Sequence, residues 1–331
     1  MKENILVVGG AGYIGSHMCK RLYTAGYVPV VLDNLVRGHR GAVKWGPFIQ
    51  GNMDDTKLLQ SVFSEYKIDA VMHFAAFAYV GESVTYPEMY YRNNVAAPII
   101  LLQKMVEYGI SKFIFSSTCA IYGEPAEIPM DEKHPKRPIN PYGRGKLMVE
   151  QILDDFKQAH GVESVCLRYF NAAGADPEGR IGEDHSPETH LIPLALEVAL
   201  GKREAVTIFG DDYSTRDGTC IRDYIHIEDL SRAHLLALQQ MKGGTAVPAK
   251  YNLGNGNGYS VKEVLDTARL VTGRDIPARI GPRRPGDPAE LVGSGKLAMR
   301  ELGWKPEYPN LETIIKTAWN WHKNNPDGFR E

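Results

Sequence analysis

Short apolar runs recur along the first half of the chain, each separated from the next by a stretch with helical spacing. Ile5-Leu6-Val7-Val8 is apolar at every position, as a strand buried on both faces requires. Pro29–Asp33, Phe48–Asn52, Ala70–Ala76, Lys112–Thr118 and Ser164–Phe170 repeat that character and are predicted as strands two to six. Between them lie predicted helices over Ser16–Ala25, Asp54–Tyr66 and Asn93–Tyr108. The second of these carries Leu58, Leu59, Val62 and Phe63 on one side. Another helix follows Tyr142, with Met148, Ile152 and Phe156 as one apolar row beside Val149 and Leu153. Strands alternating with helices predict an α/β fold, a doubly wound parallel sheet with right-handed crossovers. Ligands bind such sheets at the carboxyl ends of the strands, so Gly12, Asp33, Ala75, Thr118 and Phe170 are expected around one crevice.

From Asn171 the pattern changes. Asn171–Gly179 is loop-like, Leu191–Leu200 is an apolar helix, and Asp211–Thr219 is polar and turn-rich. Asn252–Gly258 is a glycine-dense turn, and Arg283-Arg284-Pro285-Gly286-Asp287 is a basic loop. The expected organisation is a dinucleotide-binding domain over residues 1–171 and a smaller mixed α/β substrate lobe over 172–331, from which later segments can return to the first domain.

Composition narrows the function classes. The chain has 331 residues, 43% hydrophobic and 24% charged, which suits one large α/β unit with an added lobe. A formal net charge of −2 argues against nucleic acid or an anionic membrane as partner. No apolar run reaches the ~18 residues of a membrane helix, and the N-terminus has no signal-peptide architecture. Cys19, Cys119, Cys166 and Cys220 are far apart and form no CxxC, so they read as reduced thiols in a cytoplasmic protein, and no metal site is expected.

The chemistry starts in Gly9-Gly10-Ala11-Gly12-Tyr13-Ile14-Gly15, directly after the first strand. Glycines 10, 12 and 15 satisfy GxGxxG; glycines 9, 12 and 15 satisfy GxxGxxG. In either reading an early glycine makes the tight turn, Gly12 admits a pyrophosphate close to the backbone, and Gly15 lets the next helix pack on the sheet. That helix aims its positive end at the phosphates. Asp33 ends the second strand 18 positions after Gly15, where a carboxylate meets a ribose 2′-hydroxyl. Together these make a Rossmann-type dinucleotide site. The acidic residue favours NAD over NADP, with Arg37 and Arg40 as the opposing signal. Ala75 and Ala76 are small and let a cofactor lie close.

A second group lies in Asn140-Pro141-Tyr142-Gly143-Arg144-Gly145-Lys146. Asn140 can cap a helix and Pro141 suits its first position, which sets Tyr142 and Lys146 four apart on one face. A free tyrosine titrates near pH 10, and an adjacent lysine cation favours its phenolate, so Tyr142 can exchange a proton with a sugar hydroxyl. Thr118 is expected beside it at the end of strand five, where its hydroxyl could share that proton. His73 reads as a buried, hydrogen-bonded strand residue rather than a base. Arg222 and Arg284 are candidates for a diphosphate, which guanidinium groups bind bidentately.

These motifs together resemble the extended short-chain dehydrogenase/reductase family, and within it the members that invert UDP-sugars at C4. The likeness runs from Val7–His17 to Trp319-Asn320-Trp321, through His73–Ala76, Val80–Ser83, Tyr142 with Lys146, Arg168–Asn171, Asp217–Thr219 and Arg222–His226. It implies an isomerase in which Tyr142 deprotonates the sugar's 4-hydroxyl, bound NAD holds the hydride, and a transient 4-keto sugar is reduced on its other face. It implies that Lys146 supports the phenolate and holds the nicotinamide ribose, and that Thr118 fills the family's Ser/Thr position. By the same match Tyr13, Ile14, Asp33, Asn34, Asn52, Met53, Phe74, Ala75, Asn93 and Phe170 should line the cofactor. Asn171, His190, Leu191, Phe209, Arg222, Arg284, Asp287 and Leu291 should line the UDP-sugar. Asn52, Ala78 and His190 depart from residues that many or some members carry there (Asp, Lys and Asn). Leu291 is smaller than the restrictive Tyr of some members, which implies at least partial use of UDP-N-acetylhexosamines. Ser117–Ala120 and Asp176–Gly182 are similar to members acting on UDP-xylose and UDP-arabinose, the alternative substrates. Cys119 and Ala120 stand where sugar 4,6-dehydratases place carboxylates, which disfavours elimination; a non-catalytic NAD-sensing regulator is disfavoured by the Tyr–Lys pair. Family members are commonly homodimers, pairing through the helices at Asn93–Tyr108 and Tyr142–Phe156.

Overall fold

Alternate residues of the central strands enter different cores, which is why their sequences are apolar throughout. Ile5, Val7, Val31, Met72, Ile114 and Leu167 pack on one face with Met18 and Leu22 of the Tyr13–Thr24 helix and Leu230 and Ala237 of the Ile227–Lys242 helix. Leu6, Val8, Val30, Val71, Phe113 and Phe115 pack on the other, with the helices Thr56–Tyr66, Ala97–Glu107 and Pro141–His160. Each such side chain contributes about 1.5–3 kcal/mol by leaving water. The computed structural model describes residues 2–243, 250–284 and 286–329.

The sheet has seven parallel strands. Six are β1 (Asn4–Val8), β2 (Val28–Asp33), β3 (Phe48–Gln50), β4 (Ile68–His73), β5 (Lys112–Thr118) and β6 (Glu163–Tyr169). The order is Lys250–Leu253, β6, β5, β4, β1, β2, β3. Chain direction across the sheet reverses between β1 and β4, and a crevice opens there at the strands' carboxyl ends. The doubly wound fold is therefore as the hydrophobic pattern predicts, with one addition. Asn252 and Leu253, expected in a turn, end an edge strand paired with β6 from Cys166 to Tyr169. A four-residue strand with lysine and asparagine at alternate positions carries little apolar signal; its place comes from Tyr251 and Leu253 entering the core.

Element ends also shift for physical reasons. The first helix begins at Tyr13, because Gly12 is itself the N-cap. β4 stops at His73, since the amides of Phe74 and Ala75 both turn to the Val8 carbonyl. The segment before Ala97 is a π-helical turn, Arg92–Ala96.

The second lobe has its own core, with Ile192, Leu196, Ile208, Tyr224, Leu265 and Ile314 at its centre. Its helices are Leu191–Ala199, Val261–Thr272 and Leu311–Asn324, and its strands Ile221–His226, Gly258–Ser260, Glu290–Leu291 and Asn171–Ala173 form one small sheet. Asp223 knits the two parts together: its buried carboxylate accepts from the amides of Asn255, Gly256 and Gly293. Burial pushes its carboxyl up to about 7, against those three hydrogen bonds.

Candidate active site

One cleft of about 1510 Å³ runs across the carboxyl ends of the strands and under the second lobe. At its cofactor end the turn after β1 is made by Gly9, at φ +83°, which settles the two glycine readings in favour of 9, 12 and 15. A Cβ on Gly9 would lie 2.4 Å from the Ala75 amide nitrogen, and one on Gly15 2.1 Å from the Gly9 carbonyl oxygen. Over Gly12 the nearest atom would be 3.5 Å away. No side chain caps the first turn of the Tyr13–Thr24 helix, so its positive end is left to the cleft. Asp33 is buried beside it, its carboxylate accepting from the amides of Ala11 (2.9 Å) and Leu35 (2.8 Å), while burial raises its pKa.

This cradle fits a dinucleotide: a backbone turn that excludes side chains, an uncapped helix start, and a carboxylate at the next strand end. The arginines that opposed NAD are engaged elsewhere. Arg37 pairs with Glu82 at 2.8 Å and stacks over Tyr79, and Arg40 lies over Phe48. Asn34 donates to Asn52 on the cleft wall at 2.7 Å.

At the seam between the lobes, Asn140 caps the Pro141–His160 helix by accepting from the Gly143 amide at 2.8 Å, as its sequence predicts. Tyr142 and Lys146 face the cleft from this helix, and Thr118 faces it from the end of β5. Lys146 is 2% exposed and donates to the Ser116 carbonyl at 2.7 Å. Burial drives its ammonium down to about 7, with Cys166 and Glu150 opposing. Tyr142 is pushed up to about 12 by burial, partly offset by the nearby Thr118 hydroxyl. The expectation that Lys146 makes Tyr142 a ready phenolate is thus not met by the chain alone. The ammonium nitrogen lies 5.9 Å from the Tyr142 ring centroid, and its own charge is destabilised by burial.

Behind the pair sits a buried network absent from the sequence expectations. Arg168 grips Glu150 bidentately, at 2.9 and 2.6 Å, and donates to the Tyr122 hydroxyl at 3.0 Å. Ser117 donates to the same Glu150. Tyr142, Lys146 and Glu150 are spaced i, i+4, i+8, so a charged residue continuing the Tyr–Lys face was the available signal. The network ties that face to β5 and β6. His73 is buried as expected, its Nε2 against Met53 Sδ at 3.2 Å, and burial drives it down to about 3, unsuited to proton uptake.

At the far end, Asn171, His190, Arg222, Arg284, Asp287 and Leu291 line the cleft. Arg222 is held by an ion pair with Asp287, while Arg284 stacks on Phe209 with its guanidinium carbon 4.0 Å from the ring centroid. Pro285, between them in the basic loop, lies outside the described residues. Two expected residues are not on the cleft wall: Leu191 packs on the second lobe's core, and Phe209 is reached only through Arg284. The other expected cofactor residues, Tyr13, Ile14, Met53, Phe74, Ala75, Ala76, Asn93 and Phe170, all line it.

The family model for the NAD dependent epimerase/dehydratase family matches residues 5–254. The chain is 56% identical over 326 residues to UDP-glucose 4-epimerase of Halalkalibacterium halodurans, covering 98% of this chain and 97% of that one. It superposes on a crystal structure of UDP-glucose 4-epimerase with TM-score 0.97 at 52% identity, over 99% of this chain and 100% of the other. A UDP-glucose 4-epimerase from Brucella ovis in complex with NAD gives TM-score 0.93 at 49% identity, over 96% and 97% of the two chains.

Proposed function

The chain belongs to the NAD dependent epimerase/dehydratase family, and on that premise we propose that it is an NAD-dependent 4-epimerase of UDP-sugars, interconverting UDP-glucose and UDP-galactose through a transient 4-keto sugar. The observation that carries this is the position of Tyr142, Lys146 and Thr118 at the seam of one cleft, between the glycine cradle and the arginines of the second lobe. Bound NAD supplies a reversible acceptor for the hydride at the sugar's C4. Gly9, Gly12, Tyr13, Ile14 and Gly15 cradle its pyrophosphate, and Asp33 takes its ribose hydroxyl. Tyr142 accepts the proton of the 4-hydroxyl and later returns it. Thr118, whose hydroxyl stands by Tyr142, can share that proton. Lys146 holds the nicotinamide ribose, and its ammonium regains charge where a phenolate forms beside it. Arg222 and Arg284 clamp the diphosphate while the keto sugar presents its other face.

Division of labour follows: residues 1–171 serve the cofactor and 172–331 the UDP-sugar, although Ile227–Lys242 and Lys250–Leu253 pack with the first part. Leu291 on the cleft wall favours tolerance of N-acetylhexosamines as well. A homodimer is proposed through the Ala97–Glu107 and Pro141–His160 helices, where Met148 is exposed and Ile152 and Phe156 are only partly buried. Four unpaired cysteines support a cytoplasmic setting.

The test is incubation of the purified protein with UDP-galactose, UDP-N-acetylgalactosamine and UDP-arabinose without added NAD, with products read by NMR. UDP-glucose should form from UDP-galactose, and Tyr142→Phe should abolish it. If no sugar inverts even with NAD supplied, the epimerase reading fails; a 4-keto-6-deoxy product would mark a dehydratase instead.

A further inference from the structure

The segment between Asn171–Ala173 and the Leu191–Ala199 helix carries Glu183, His185, Glu188 and His190, in the spacing E-x-H-x-x-E-x-H. Each offers one ligand atom, and the four atoms lie within 4.8 Å of one another. His185 Nδ1 stands 3.3 Å from a Glu183 oxygen and 3.6 Å from a Glu188 oxygen. His190 Nδ1 stands 2.7 Å from the same Glu183 oxygen and 3.4 Å from the other oxygen of Glu188. Four N and O ligands at about 2.0–2.1 Å from a zinc ion stand about 3.3–3.4 Å apart. Both His185 separations need little change, while the His190–Glu183 hydrogen bond must open.

Other observations point the same way. Nδ1 of His185 is buried and makes no hydrogen bond, although it is aimed between the two carboxylates. Glu188 is fixed by the amides of Thr189 and His190, both donating to one of its oxygens, which leaves the other to the cluster. A small pocket of about 260 Å³, lined by Glu183, His185, Glu188 and His322, borders the group and gives an ion a way in.

We propose that Glu183, His185, Glu188 and His190 form a structural site for a divalent transition-metal ion, with zinc the best match to two imidazoles and two carboxylates. The cysteines had directed attention away from metals; this site uses none. Its purpose follows from what the loop touches. Arg37 donates to the Ser186 carbonyl, Tyr79 to the Pro187 carbonyl at 2.9 Å, and the Phe329 amide to Asp184 at 2.9 Å. The loop therefore bridges the cofactor side, the substrate lobe and the chain's last helix-following turn. An ion at its centre fixes that bridge with all four positions closed by protein, the pattern of a structural site rather than a catalytic one. Glu183, His185 and His190 also line the main cleft, so the ion would stand in its wall, apart from Tyr142.

The test uses the whole protein, produced in zinc-supplemented medium and dialysed at neutral pH. Elemental analysis should find about one zinc ion per chain, a chelator should lower the melting temperature by several degrees, and added zinc should restore it. His185→Asn and Glu188→Gln should retain less than a tenth of the wild-type metal and melt with the stripped wild type. Should those variants fail to fold, cobalt(II) titrated into stripped wild type should give visible tetrahedral d–d bands saturating at one ion per chain. A wild type without stoichiometric metal and without those bands, or variants that keep their zinc, would overturn the site and leave two imidazolium–carboxylate pairs in its place.

Discussion

The two ends of the cleft are built on different principles. The cofactor end is backbone: a turn that cannot hold a Cβ at Gly9 or Gly15, an uncapped helix start, and one carboxylate held by two amides. It comes from a continuous stretch of sequence plus the end of the next strand. The other end, where the substrate is proposed to bind, is side chains brought from separate strands and loops, Asn171, His190, Arg222, Arg284 and Leu291. Backbone geometry leaves little freedom, so one methyl group is intolerable there; side-chain recognition is adjustable, so a substitution should shift affinity and preference and leave the fold alone.

Tyr142 stands where the two ends meet, and its loss should be the largest effect. Tyr142→Phe removes the one hydroxyl able to exchange the sugar's proton, so kcat should fall by about 10²–10⁴-fold. The melting temperature should hardly move, because the ring's packing is kept. A variant retaining a tenth of wild-type kcat would mean that another group carries the proton.

Gly15→Ala tests the backbone end. The added methyl would meet the Gly9 carbonyl at 2.1 Å, so the turn must shift, at a cost of about 1–3 kcal/mol. Both bound NAD, read from the absorbance of the purified protein, and thermal stability should drop. Unchanged NAD content would show that the cradle is more pliant than its geometry indicates.

How far each end was legible in the sequence follows from the same contrast. Gly9, Gly12, Gly15 and Asp33 announce themselves because strand, turn, helix and strand are consecutive, and the structure brings them together. At the far end Arg222 and Arg284 reach the cleft, but Phe209 and Leu191 lie behind its wall, because residues on separate strands, helices and loops carry no spacing rule. The seventh strand was hidden by its four-residue length, and the Arg168–Glu150 pair by joining a strand to a helix across no fixed spacing; the arginine is 1% exposed and paired. Burial, invisible in a spacing, raises the Tyr142 pKa and so opposes the lysine's expected effect at 5.9 Å.

Arg284→Ala tests the adjustable end. A guanidinium–phosphate contact is worth about 1.5–3 kcal/mol, so kcat/KM for UDP-galactose should fall by about 10–150-fold, mostly through KM. NAD content and melting temperature should stay as in wild type. Arg284→Lys should recover part of the loss, since the charge returns without the planar fork. A fall in kcat with KM unchanged would place Arg284 in the reaction step and erase the distinction between the ends.

The smallest effect concerns stability alone. Lys146 is buried and its ammonium is held down to about 7, far below its unfolded value of about 10.5. Below pH 7 both folded and unfolded chains carry the proton, and the folded chain bears the whole cost of a buried charge. Between pH 7 and 10.5 the unfolded chain binds more protons, so this group's contribution to stability rises with pH. Lys146→Met has no such group, and its side chain suits the apolar surroundings of Phe115. In urea unfolding of NAD-free protein the variant should therefore be the more stable at pH 6.5. Its advantage should shrink by up to about tenfold in the folding equilibrium for each pH unit between 7 and 9. Parallel stability profiles for the two proteins would mean that the lysine keeps an ordinary pKa. Its charge would then stand beside Tyr142 at neutral pH before any ligand arrives, and the phenolate expected from the sequence would need no help from the cofactor.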